Sequence, residues 1–146
     1  NIAISDNAVN EDKLYHATSL ANIKDYIEST PEGYNTKIGS DGNGISQGQR
    51  QRLLIARSIY KDPAYLFFDE ATNALDANNE RTVIENLQHF FQGRTAVIVA
   101  HRLSTVKHAD QIIVLKSGEV AEIGTHRALI DKQGIYYNLV RNQIEL

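Results

Sequence analysis

Two short apolar runs, Tyr65-Leu66-Phe67-Phe68 and Thr95-Ala96-Val97-Ile98-Val99, do most to narrow the choice of fold. Each has the length of a strand, and neither alternates apolar with polar residues, which is the pattern of a strand buried on both faces. Between them, Asn78–Phe91 carries apolar residues at helical spacing. A buried strand, a helix and a second buried strand form the repeat of a parallel sheet, because parallel neighbours need a crossover. Gln111–Leu115 and Val120–Ile123 flank Lys116-Ser117-Gly118-Glu119, which predicts an antiparallel hairpin. A short helix is expected near Ser104–His108. Thr125 is placed to cap another helix, Gly134 to break it, and Ile135–Asn142 to form the last one.

Upstream, Ser46 with Gln49 three residues on has the form of a capping box, so a helix is expected to begin there. Leu53, Ala56 and Ile59 follow at helical spacing as its expected buried stripe. Asp62-Pro63 should end it, because the residue before proline avoids helical geometry. Residues 1–45 differ from the rest. Short helical patterns, Glu11–Ala17 and Ser19–Glu28, precede a Gly-rich polar loop over 36–44, and acidic residues outnumber basic ones. The expected division is a helical subdomain with its long helix over 1–61 and the α/β part over 62–146.

Composition excludes several classes. The chain is 42% hydrophobic and 23% charged, which argues against disorder. No run of about eighteen apolar residues is present, and the first residues lack the basic and apolar segments of a signal peptide. A net charge of −3 gives nucleic acid no electrostatic footing, and the absence of cysteine excludes disulfides and thiolate metal sites. His16, His89, His108 and His126 show no metal-ligand spacing. The Arg50, Arg52, Arg57 series reads as a solvated or subunit-facing surface. The lack of an initiator Met suggests that Asn1 is not the natural start.

Three features lie where a polar ligand could bind. Phe67-Phe68-Asp69-Glu70 ends a strand in two carboxylates, and ligands of open α/β sheets collect beyond the carboxyl ends of strands. One carboxylate there can hold Mg²⁺ and the other orient an attacking water, although either could instead cap the next helix. Asn43-Gly44-Ile45-Ser46-Gln47-Gly48-Gln49 puts small residues before a helix tip whose free N–H groups suit an anion, and such loops are also common structural turns. Val99-Ala100-His101-Arg102 places a histidine at a strand end, where histidines are often structural.

Taken together, Ser46 through Arg52, then Asp69-Glu70-Ala71-Thr72-Asn73-Ala74-Leu75-Asp76, then His101, resemble the ABC ATPase family. The resemblance extends over essentially the whole chain, including Lys116-Ser117-Gly118-Glu119 and Gly124-Thr125-His126. It implies a partial P-loop NTPase (ABC ATPase) fold: a parallel sheet with flanking helices, a small helical subdomain and a C-terminal β-hairpin. By the same resemblance, Ile45 through Gln49 match the signature motif, with Ser46, Gln47, Gly48 and Gln49 meeting ATP held mainly by a partner subunit. Gln47 stands where the family usually has glycine. Asp69 matches the Walker B aspartate that holds Mg²⁺, Glu70 the catalytic carboxylate, and His101 the switch histidine. Asn73 through Asp76 resemble the D-loop, with Asp76 on the nucleotide side, and Asn73 replaces its usual serine. The segment 36–42 resembles the loop that meets the transmembrane domains in exporters, with Lys37, Ser40 and Asp41 in place of its usual charges.

The expected function is therefore the ATP-hydrolysing motor of an ABC exporter, working as a head-to-tail homodimer under transmembrane domains at the cytoplasmic face of the inner membrane. The motif wording resembles exporters of peptides and bacteriocins, many with an N-terminal peptidase. Gly-x-x-x-x-Gly-Lys-Ser/Thr occurs nowhere in the sequence. The chain is accordingly expected to start inside the domain, to bind Mg-ATP weakly and be inactive alone, and to bare apolar sheet edges that favour dimerisation. Two alternatives are an ATPase head of a chromosome-maintenance or DNA-repair protein, disfavoured by the lack of heptads, and a non-catalytic interaction fragment.

Overall fold

The computed structural model describes residues 1–4, 8–39, 44–100 and 102–144. The chain divides into two compact units, Asn1–Val97 and Ile98–Leu146.

The first unit opens with helices α1 (Glu11–Leu20) and α2 (Lys24–Ser29), followed by a 3₁₀ turn at Gly33–Asn35. Asn10 caps α1 by accepting the Lys13 N–H at 2.9 Å, and acidic Glu11 and Asp12 in the first turn suit the helix dipole. The Asn10 amide in turn donates to the Tyr60 hydroxyl at 3.1 Å, tying the start of α1 to the end of α3 (Gln47–Tyr60). Helix α3 buries Ile55, Ala56, Ile59 and Tyr60, whereas Leu53 is half-buried and Leu54 exposed. The apolar stripe thus keeps Ala56 and Ile59 of the expected set but runs through Ile55 rather than Leu53. Burying a side chain the size of Ile55 contributes about 1.5–3 kcal/mol. The helix stops at Tyr60, and Asp62, immediately before Pro63, takes a left-handed φ of 49°.

Strand β1 (Tyr65–Asp69) follows, then α4 (Ala77–Phe91) and β2 (Thr95–Val99). β1 and β2 pair in a parallel sheet, the arrangement a helical crossover permits. Leu66 and Phe68 are buried, and Phe68 packs against Phe91 of α4 with ring centroids 5.8 Å apart. The other side of the strand is bare: Tyr65 is 69% exposed and Phe67 78%. β2 behaves alike, with Val97 and Val99 exposed. Burial on both faces, expected from the unbroken apolar runs, is therefore corrected. Among the described residues one face of the pair is left bare, and as a two-stranded sheet its outer edges are unpaired as well.

The second unit holds a short helix α5 (Leu103–Val106), the hairpin β3 (Ile112–Lys116) and β4 (Glu119–Gly124), and helices α6 (His126–Lys132) and α7 (Ile135–Ile144). Ser117 and Gly118, at φ 53° and 80°, give the hairpin the two left-handed central residues of a type I′ turn. Ile112 and Val114 pack on Leu129, Tyr136 and Val140. Thr125 caps α6 by accepting the Ala128 N–H at 3.3 Å. Glu122 is buried and accepts the Tyr136 N–H at 2.8 Å, with Lys132 Nζ 3.5 Å away. Its carboxylate thereby holds the start of α7, and the Tyr136 amide lowers its pKa. Gly134 leaves room for that carboxylate: a Cβ would stand 1.9 Å from Glu122 Oε1 and force it to shift.

Candidate active site

The tip of α3 has both halves of the capping box. Ser46 Oγ accepts the Gln49 N–H at 3.2 Å, and Gln49 Oε1 accepts the Ser46 N–H at 2.8 Å. The amides of Gln47 and Gly48, first in the helix, have no acceptor within it and carry the positive end of the helix dipole. Ser46 and Gln47 are exposed, and Gly48 and Gln49 half-buried. An anion is the natural ligand of such a tip.

Asp69 ends β1 and is exposed, as is Glu70. Glu70 takes a left-handed φ of 47°, which turns the chain sharply off the sheet at a cost of order 1–3 kcal/mol. Asn73 steadies this turn: its backbone N–H donates to the Glu70 carbonyl at 3.1 Å and its side-chain amide to Glu70 Oε2 at 2.5 Å. Buried Thr72 donates to buried Glu80 at 3.2 Å, fixing the loop to α4. Neither Asp69 nor Glu70 caps that helix. Asp76 does, accepting the N–H groups of Asn78 and Asn79 at 3.1 and 3.0 Å. The Asn79 amide lowers the Asp76 pKa.

The helix tip and the strand end are connected. A Cβ on Gly48 would lie 3.1 Å from the Ala74 carbonyl oxygen, so glycine permits close approach of α3 to this loop. One turn further along, Gln51 Oε1 accepts the Ala74 N–H at 2.9 Å. Arg52 faces inward as well, donating to the Asn22 carbonyl and to Asn79 Oδ1 at 3.0 Å. Partial burial pushes its guanidinium pKa down, and Asp76 opposes that shift. For Arg52 the expected solvated or subunit-facing surface is corrected: it ties α3 to the turn between α1 and α2 and to α4. Arg57 donates to the Asn1 carbonyl at 2.7 Å, and Arg50 is exposed.

A family model described as ABC transporter matches residues 2–73. Over 99% of its length the chain is 47% identical to the exotoxin translocation ATP-binding protein PaxB of Pasteurella aerogenes, covering 20% of that protein. The alpha-hemolysin translocation ATP-binding protein HlyB of Proteus vulgaris is 47% identical over 95% of the chain and 20% of its own length. Multidrug resistance protein 3 of Entamoeba histolytica is 47% identical over 92% of the chain and 10% of its own length. The solved structure of a bacterial Atm1-family ABC exporter with ATP bound superposes with a TM-score of 0.91 at 36% identity, covering 98% of this chain and 25% of that one. The chain belongs to the ABC transporter family.

The chain spans about a fifth of the length of the translocation proteins it matches. Its α/β architecture, with helical segment and hairpin, is that of an ABC exporter ATPase in part. The alternative reading as a chromosome-maintenance or DNA-repair head finds no support in these relatives. Ser46, Gly48, Asp69, Glu70 and Asp76 fall in the first unit, and the Gly48 and Gln51 contacts bring the tip of α3 to the loop between Glu70 and Asp76. His101, and Ser40 to Asn43 of the 36–44 loop, lie outside the described residues. Among the described residues no cluster of three metal-binding side chains occurs, and no helix is long and apolar enough to cross a membrane. Mg²⁺ asks less than such a cluster, since one or two carboxylates complete its shell beside phosphate and water. The oxygen donors at the end of β1 fit it. A cavity of about 350 Å³, lined by Lys13, His16, Tyr60, His89 and Arg94 among others, lies at the opposite end of α3 from Ser46.

Gln51 and Asn79 hold the candidate-site loop and no residue pattern in the sequence singles them out. Their partners are a backbone amide 23 residues away and a neighbouring cap.

Proposed function

We propose that the chain is part of the ATP-hydrolysing motor of an ABC exporter, with residues 1–61 as the helical subdomain that carries the signature helix and 62–146 as the remainder of the ATPase core. The observation that carries this reading is the seating of the capped Ser46 helix tip, through Gly48 and Gln51, on the loop that begins at Glu70 and ends at the Asp76 cap.

In this reading Ser46 and the Gly48 amide meet the γ-phosphate of a nucleotide held mainly by a second copy of the domain, arranged head to tail. Gln47, Gln49 and Asp76 border it. Asp69 holds Mg²⁺, which when bound neutralises phosphate charge. Glu70, steadied by Asn73, accepts a proton from the attacking water. His101 completes the γ-phosphate contacts. ATP closes the pair and hydrolysis reopens it, moving the transmembrane domains of the same exporter. The motor stands at the inner face of the membrane, and no nucleic acid takes part.

For cargo we infer a polypeptide, supported by the toxin translocation proteins among the relatives. Bacteriocins and peptidase-processed peptides are one division of that class. The test is transport by the full-length protein in proteoliposomes. ATP-dependent uptake of a polypeptide, lost in Asp69→Asn, is expected. Uptake of small lipophilic cations alone would refute the cargo assignment, and ATP-independent uptake would refute the motor.

A further inference from the structure

We propose that Gln51 is a positioning residue for hydrolysis, holding the Glu70–Ala74 loop on the signature helix. The proposal rests on the reading of Glu70 as the base. Gln51 Oε1 accepts the Ala74 N–H at 2.9 Å, and Gln51 Nε2 reaches the Glu70 carbonyl oxygen at 3.5 Å, the outer limit of a hydrogen bond. One side chain therefore touches both ends of the turn that carries the base. Gly48 lies three residues earlier on the same helical face and abuts the Ala74 carbonyl. Helix and loop are thus gripped at two points one turn apart.

The loop needs such a grip. Glu70 holds a left-handed backbone and is exposed, so the position of its carboxylate follows the turn that carries it. Asn73 orients Glu70 Oε2 from within the same turn, and Asn73 is followed directly by Ala74. Releasing the Ala74 amide lets Asn73 and the Glu70 carboxylate wander together. Because α3 begins at Ser46, a phosphate seated on the helix tip also bears, through Gln51, on the loop of the base.

The experiment uses full-length protein in nanodiscs. Gln51→Met keeps the side-chain length and removes the acceptor. It is expected to lower kcat about five- to tenfold, the loss carried by one ordinary backbone-directed hydrogen bond, with KM for ATP unchanged and Tm lowered by only a few degrees, well above the assay temperature. Gln51→Glu keeps the acceptor for the Ala74 amide but loses the donor to the Glu70 carbonyl, and is expected to recover part of kcat. An unchanged kcat in Gln51→Met, a kcat loss that merely tracks a fall in Tm, or a Gln51→Glu variant as slow as Gln51→Met would overturn the proposal. Gln51→Ala replaces Gln51→Met should that variant not fold. Glu70→Gln is measured in parallel. Hydrolysis surviving that change removes the reading of Glu70 itself, whereas hydrolysis lost there and normal in Gln51→Met removes only the role of Gln51.

Discussion

Gly48 approaches the Ala74 carbonyl so closely that a Cβ would stand 3.1 Å from the oxygen, although Gly48 lies inside a helix and needs no unusual backbone angle. Contact, rather than conformation, makes glycine the residue there. Gly48→Ala gains up to about 1 kcal/mol of helix propensity and spends it on pushing the loop away. Unfolding by urea should show stability within about 1 kcal/mol of wild type, while ATP hydrolysis by the full-length protein drops at least about tenfold through loss of geometry.

Ser46 has two roles that substitution can separate. Ser46→Ala removes the cap and should cost about 0.5–2 kcal/mol. Ser46→Asp keeps a capping oxygen and complements the helix dipole, so stability is retained. It also places a negative charge where the proposed site seats phosphate. Hydrolysis should collapse in Ser46→Asp with the fold intact, and a normal rate would remove Ser46 from the nucleotide site.

Adjacent phenylalanines on β1 should respond in opposite ways. Phe68 is 8% exposed and packs on Phe91, so Phe68→Ala in the 146-residue chain should cost about 3–5 kcal/mol. Phe67 is 78% exposed, and Phe67→Ala should stay within about 0.5 kcal/mol. Chemical denaturation of both variants checks the face assignment.

Acid should loosen the second unit through Glu122. The Tyr136 amide lowers its folded pKa below the unfolded value of about 4.3. A depressed carboxylate stabilises the fold above the unfolded pKa, and that contribution is lost as pH falls through the folded pKa. Tm measured below about pH 5 should therefore fall less steeply in Glu122→Gln than in wild type. Gly134→Ala displaces the same carboxylate, so its cost and that of Glu122→Gln should be less than additive.

Local signals were the legible part. The Ser46 and Thr125 caps, the Ser117-Gly118 turn and the end of α3 before Pro63 follow from neighbours within four residues, and the structure has each of them. The faces of β1 and β2 were not legible, because an unbroken apolar run states a demand for burial without saying what supplies it. Arg52 departs from its expected setting for a related reason. A charged residue on a helix looks solvated until Asn22 and Asn79 arrive from other elements. Asp69 and Glu70 stood out at a strand end, yet the Gln51 contact that reaches their loop depends on tertiary packing alone.

Glu70 carries the central claim, and its test is the ATP turnover of Glu70→Gln in the full-length protein with ATP binding measured alongside. The account predicts binding retained and turnover reduced by about 10²–10⁴-fold, the share of a general base. Turnover within about twofold of wild type, far below any general-base contribution, would contradict it.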